Sequence, residues 1–192
     1  MTRLHTTFTS QTPLIMHSAR SVNPLDPLNR KLKEQTKVKS KTDETLKLIS
    51  DLEWELSLYW KEGIGFYIPA ENIEKSIIEG ARASRKGKDV EKFVTVEEMF
   101  CPLKLPSNPT MEKIKNDYSY RDIRSMVVSK RRIMRTRALF ENWETSFTLR
   151  FDDSKMNIED IVSALDYAGK YIGICDSRPK YGQYAVKIKE IT

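Results

Sequence analysis

Apolar positions along this chain recur at two spacings, and these divide it into strands and helices. Trp143, Thr145, Phe147, Leu149 and Phe151 alternate with Glu144, Ser146, Thr148 and Arg150, the pattern of a strand with one buried face. Leu4, Thr6 and Phe8 set the same period in Leu4 to Ser10, and Pro13 ends it. Thr42 followed by Asp43 and Glu44 is a helix start, with a capping hydroxyl and acids near the positive end of the helix dipole. Leu46, Ile49, Leu52, Leu56 and Tyr59 then recur at helical spacing until Gly63 and Gly65. Phe66 to Ile68 reads as a short strand. Pro69 stands at a first helical position, and Ile73, Ile77, Ile78 and Ala81 stripe a helix ending near Gly87.

Phe93 to Val96 reads as another strand, after which Pro102, Pro106 and Pro109 break regular structure. Met126 to Ser129 and Ile133 to Leu139 are strand-like. Asn157 caps a helix whose buried face is Ile158, Ile161, Val162, Leu165 and Tyr167-Ala168, closed by Gly169 and Gly173. A last strand places Tyr184, Val186 and Ile188 on one face. This order predicts an α+β protein: a ferredoxin-like or RRM-like antiparallel sheet with helices on one face and long loop insertions. Residues 1–192 read as one domain, with a long basic loop at about 13–41.

Charge changes the picture more than composition does. The net charge is +6, and the stretch from Arg121 to Arg137 carries that whole excess: Arg121, Arg124, Lys130, Arg131, Arg132, Arg135 and Arg137 against Asp122 alone. A second run, Arg30, Lys31, Lys33, Lys37, Lys39 and Lys41, has only Glu34 opposing it. Such clusters are either solvated faces or the electrostatic footprint of a phosphate backbone. As a strand, Arg131, Ile133, Arg135 and Arg137 share one face, which must meet solvent, acids or phosphates. Arginine's planar fork suits phosphates.

No apolar run approaches the roughly 20 residues of a membrane span, and Met1 to Gln11 has no signal-peptide block. The expectation is a cytoplasmic protein with no membrane partner. Cys101 and Cys175 stand far apart without metal spacing, and His5 and His17 are the only imidazoles. No metal, cofactor or catalytic residue is therefore expected. Gly173 to Tyr184 is the densest motif: two glycines, an Arg178-Pro179 step, Lys180, and the rings of Tyr181 and Tyr184. It is either a turn before an edge strand, with Asp176 paired to Arg178, or a base-stacking element.

Thr12 to His17, Asn23 to Pro27, Tyr67 to Ile73, Arg135 to Phe140 with Trp143, and Gly173 to Tyr184 together resemble a family of uncharacterised proteins of tailed phages and prophages. The resemblance runs over nearly the whole chain and implies a viral origin, with the cytoplasm of an infected bacterium as its setting. The glycine turn before a final strand is similar to the RAMP superfamily of CRISPR backbone and crRNA-processing subunits. That implies single-stranded RNA on a basic groove and assembly into filaments. The expectation is thus a non-enzymatic, oligomeric binder of single-stranded RNA or DNA. Its contacts would be Arg131, Arg132, Arg135, Arg137, Arg178, Lys180, Tyr181, Tyr184, Lys31, Lys33, Lys37 and Lys39. The alternatives are a metal-independent endoribonuclease using His17 or Tyr181, and a counter-defence factor that binds a host ribonucleoprotein.

Overall fold

A computed structural model of the chain describes residues 1–128 and 130–191; Ser129, placed above in a strand, and the side chains of Val128 and Arg131 lie outside the described residues. The elements run β1 (Thr2–Ser10), β2 (Leu14–Ile15), α1 (Pro27–Lys37), α2 (Asp43–Ser57), β3 (Trp60–Lys61), β4 (Gly65–Pro69) and α3 (Ala70–Ala81). They continue as α4 (Gly87–Phe93), β5 (Val94–Val96), β6 (Phe100–Lys104), α5 (Met111–Asn116), β7 (Arg121–Val128), β8 (Arg131–Phe140), β9 (Glu144–Phe151), α6 (Ile158–Tyr167) and β10 (Tyr184–Ile191). The class is α+β. No helix among the described residues is long and apolar enough to cross a membrane.

Read from sequence as one domain, the chain groups by its contacts into two compact units. The first is Met1–Leu14, Trp60–Asn108 and Glu141–Thr192; the second is Ile15–Tyr59 and Pro109–Phe140.

The first unit is built on a sheet of order β10-β1-β9-β6-β4-β3, with β5 also paired to β9. Its pairings are antiparallel. The alternation of β1 and β9 explains their central place: Leu4, Thr6, Phe8, Thr145, Phe147, Leu149 and Phe151 are all buried. Phe8 meets Phe147 edge-on at 4.9 Å and stacks on Tyr184 at 3.8 Å. Gly80 sets the approach of α3 to α6, since a Cβ there would lie 2.4 Å from the Ala164 carbonyl oxygen.

The second unit holds a sheet of order β2-β8-β7, with α2 laid along β8. Four helical residues rise about 6 Å and two strand residues about 6.6 Å, so side chains one turn apart on α2 can serve alternate amides of β8. Glu53 accepts from the Thr136 N–H at 2.9 Å and Ser57 from the Ala138 N–H at 2.9 Å. The Ser50 and Thr136 hydroxyls lie 2.8 Å apart. Trp54, fully buried, donates from its indole to the Tyr120 carbonyl at 2.9 Å.

Several expectations are corrected. The stretch expected as a loop at about 13–41 contains α1 and a 3₁₀ turn, Ala19–Ser21. Pro27 opens the helix instead of breaking it, where a missing N–H costs nothing. Asp26 caps it by accepting from the Leu28 N–H at 2.9 Å. Gly87 begins α4 instead of ending the preceding helix, which stops at Ala81. Pro102 lies inside β6, paired with Tyr67. Thr42 caps α2 as the pattern predicts, whereas Asn157 stands at the N-cap of α6 without a side-chain capping bond.

Candidate nucleic-acid interface

The two units divide the charge unequally. The second holds 17 basic and 10 acidic residues, and the first 16 and 17, so the excess of positive charge resides in the second unit. Both basic runs of the sequence, separated by eighty residues of chain, belong to it.

On α1 the one buried residue is polar: Asn29, whose amide donates to the carbonyls of Arg20 and Ser21 at 3.2 and 2.8 Å. Lys31, Lys33 and Lys37 point to solvent, as does Lys39 just beyond the helix. Arg30, also exposed, donates to the Pro24 carbonyl at 3.1 Å.

The hairpin β7–β8 has two faces. One pairs Arg121 with Ala138, Ile123 with Thr136, Ser125 with Met134 and Val127 with Arg132. Toward its tip Ile123, Val127, Met134 and Arg132 are exposed, so apolar and cationic side chains alternate in solvent. At its base Arg121 is a core residue, 2.8 Å from Asp51 and donating to the Lys115 carbonyl at 2.9 Å. Its guanidinium also lies over the Trp54 and Tyr118 rings. The other face sets Asp122 across from Arg137 and Arg124 across from Arg135. Two arginines directly opposite repel, and acids offset this: Arg124 pairs with Asp122, and Arg135 with Glu53, whose side chain is only 7% exposed.

Arg135 is therefore corrected from a freely displayed contact to an anchor of the hairpin, though its side chain is still 37% exposed. Arg137 is half-buried beside it, whereas Arg132 faces solvent; the side chain of Arg131 lies outside the described residues.

A cavity of about 290 Å³ opens in this unit beside that second face. Leu32, Leu56, Val22 and Met126 form its apolar wall, and His17, Ser21, Glu53, Arg135 and Arg137 its polar one. His17 Nε2 lies 3.2 Å from the Ser21 hydroxyl, which also donates to the Ser18 carbonyl at 2.9 Å. Tyr59 donates to the His17 carbonyl at 3.0 Å. Partial burial, and after it the charges of Arg137 and Arg135, lower the His17 pKa from its ordinary 6.5, so the ring is neutral at pH 7. Nothing local in the sequence marks this cavity, because residues 17–57 and 126–137 meet only through the fold.

The Gly173–Tyr184 motif belongs to the first unit, whereas both basic runs belong to the second. Its glycines serve the fold. A Cβ on Gly182 would meet the Ile174 carbonyl oxygen at 2.1 Å, and one on Gly173 the Tyr181 carbonyl oxygen at 2.8 Å. Gly182 donates to the Pro13 carbonyl at 2.8 Å, Gln183 to the Thr12 hydroxyl at 2.9 Å, and the Trp143 indole to the Thr12 carbonyl at 3.1 Å. Three sequence motifs thus meet at Thr12.

Arg178 pairs with Glu79 at 3.1 Å. Tyr184 is corrected outright. It is 2% exposed, stacked on Phe8, with its hydroxyl 3.0 Å from that of Ser76, and so offers no face to a base. Lys180 is exposed and Tyr181 half-buried. Both cysteines are free, and burial pushes their thiols up to about 12. No group of three or more His, Cys, Asp or Glu among the described residues is placed to hold a metal ion.

No protein-family model and no curated protein matches this chain.

Proposed function

We propose that this is a phage-encoded, non-enzymatic binder of single-stranded nucleic acid, RNA or DNA, that works as a homo-oligomer. Its second unit is the binding body. The observation that carries the reading is the partition of charge, 17 basic against 10 acidic residues in that unit and 16 against 17 in the other. Clustered cations of this kind attract phosphate backbones, and the exposed apolar side chains among them suit unstacked bases better than a duplex surface. Arg30, Lys31, Lys33, Lys37, Lys39, Lys130 and Arg132, all exposed, supply the phosphate contacts. Lys180 and Tyr181 of the first unit are further candidate contacts to nucleic acid.

The first unit is, on this reading, a ferredoxin-like fold of the RAMP kind. Support comes from β1-α3-β6-β9-α6-β10 in chain order with β10-β1-β9-β6 in the sheet, the sequence and strand order of a βαββαβ fold. The viral origin rests on the motifs that meet at Thr12.

The test is purification of the protein from cells and identification of any nucleic acid that accompanies it, followed by binding of single strands against duplex. The reading expects co-purifying nucleic acid and a clear preference for single strands. A protein free of nucleic acid that binds neither form contradicts it.

One observation favours a second reading, a metal-independent endoribonuclease: a neutral His17 shares a cavity with Arg135 and Arg137, a base beside two cations. Cleavage of RNA in chelator, abolished by His17→Ala with folding intact, would establish it.

A further inference from the structure

The cavity of the second unit is walled on one side by carbon and on the other by a few converging polar groups, the usual make-up of a small-ligand site. At about 290 Å³ it lies at the low end of the range for such sites, roughly 300–1,000 Å³, which suits one nucleotide and excludes two. Its ionic lining is Arg135 and Arg137 against Glu53, and the planar fork of a guanidinium suits a phosphodiester. The ion pair with Glu53 does not exhaust Arg135, because a guanidinium carries five N–H donors. The mouth is open to solvent at Val22, which is 72% exposed.

We infer that this cavity receives one nucleotide of a bound single strand, its base against Val22, Leu32 and Met126 and its phosphodiester beside Arg135 and Arg137. The inference rests on the single-strand reading of the second unit and adds to it a defined subsite. A base taken out of its stack loses contact with its neighbours, and an apolar pocket restores that contact. The strand is thereby gripped at one nucleotide and held electrostatically elsewhere.

The test compares two single strands of about twelve nucleotides, within the site sizes usual for such binders, one normal and one abasic throughout. Each is titrated by fluorescence anisotropy against the wild-type protein and against Met126→Trp and Leu32→Phe, which fill the cavity from positions only half-buried. The wild type binds the normal strand more tightly than the abasic one, with about tenfold of that advantage due to the one stacking contact in the cavity. In both filled variants that tenfold advantage is lost. A second measurement needs no variant: photocrosslinking of a 4-thiouridine strand to the wild type, with the crosslink falling on the cavity lining. Equal binding of both strands by the wild type, an advantage undiminished in both filled variants, or crosslinks confined to other surfaces overturns the subsite and leaves the single-strand reading standing. Failure of the wild type to bind either strand overturns the single-strand reading itself.

Discussion

Glu53 holds Arg135 with one carboxylate oxygen and accepts the Thr136 N–H with the other, at 2.9 Å. A single acid thus fastens the arginine-rich strand to α2 and neutralises one of the two arginines that face each other across the hairpin. The basic strand, so exposed in appearance from its sequence, is half anchor and half display.

Arg135 and Arg132 should accordingly behave differently. Arg135→Ala leaves a nearly buried carboxylate without its charged partner, and stability should fall by about 1–3 kcal/mol. Arg132→Ala removes an exposed side chain, for which about 0.5 kcal/mol is the usual limit. Urea unfolding of the two variants checks this, and equal stabilities would mean that the Glu53 pair contributes nothing.

How much of this was legible in the sequence depends on where the information sits. Trp143 to Phe151 announced β9 because one face of it is continuously buried. Thr42 announced α2 because capping is local chemistry. The helix α1 is hard to read because its apolar stripe is only Leu28 and Leu32, both half-buried, and because Pro24 and Pro27 stand at its start. The second unit was invisible as a unit, since two segments far apart in the chain compose it. Tyr184 misled for a related reason. Its ring belongs to the strand's buried face, but the glycines and the arginine before it drew it into the motif.

That placement gives a second prediction. Tyr184→Ala should cost about 3–5 kcal/mol, as for other buried aromatic truncations. Tyr184→Phe should cost about 1 kcal/mol, the hydrogen bond to Ser76 alone. Thermal unfolding of both variants is the check. A well-folded Tyr184→Ala protein would contradict the core assignment.

Tyr181 is the informative position in that turn. If it stacks on a base, Tyr181→Phe should bind a single strand like the parent, while Tyr181→Ala should lose about 1–3 kcal/mol of affinity. Equal binding by parent, Phe and Ala forms removes the turn from the interface.

The second unit should also weaken in mild acid. The His17 pKa is lowered in the folded protein from 6.5, so the unfolded chain binds a proton more readily. Stability from this group is complete above 6.5 and declines as the pH falls below it toward the folded pKa. His17→Gln should flatten the decline. Nuclear magnetic resonance titration of the ring gives the folded pKa directly, and a value at or above 6.5 would contradict the environment described.

The salt dependence of binding bears most directly on the claim that the second unit holds a nucleic-acid backbone. With about four to six phosphates neutralised, the logarithm of the binding constant should fall against the logarithm of salt with a slope of roughly −3 to −4 on a single strand. Replacing Lys31, Lys33, Lys37 and Arg132 by Ala should reduce that slope by about 2.8, at roughly 0.7 for each lost contact, with the fold intact. The same number of exposed lysines replaced in the first unit, at Lys61, Lys104, Lys187 and Lys189, should leave it unchanged. A flat salt response in the parent protein, or a slope that depends on the first unit's lysines instead, would contradict the account.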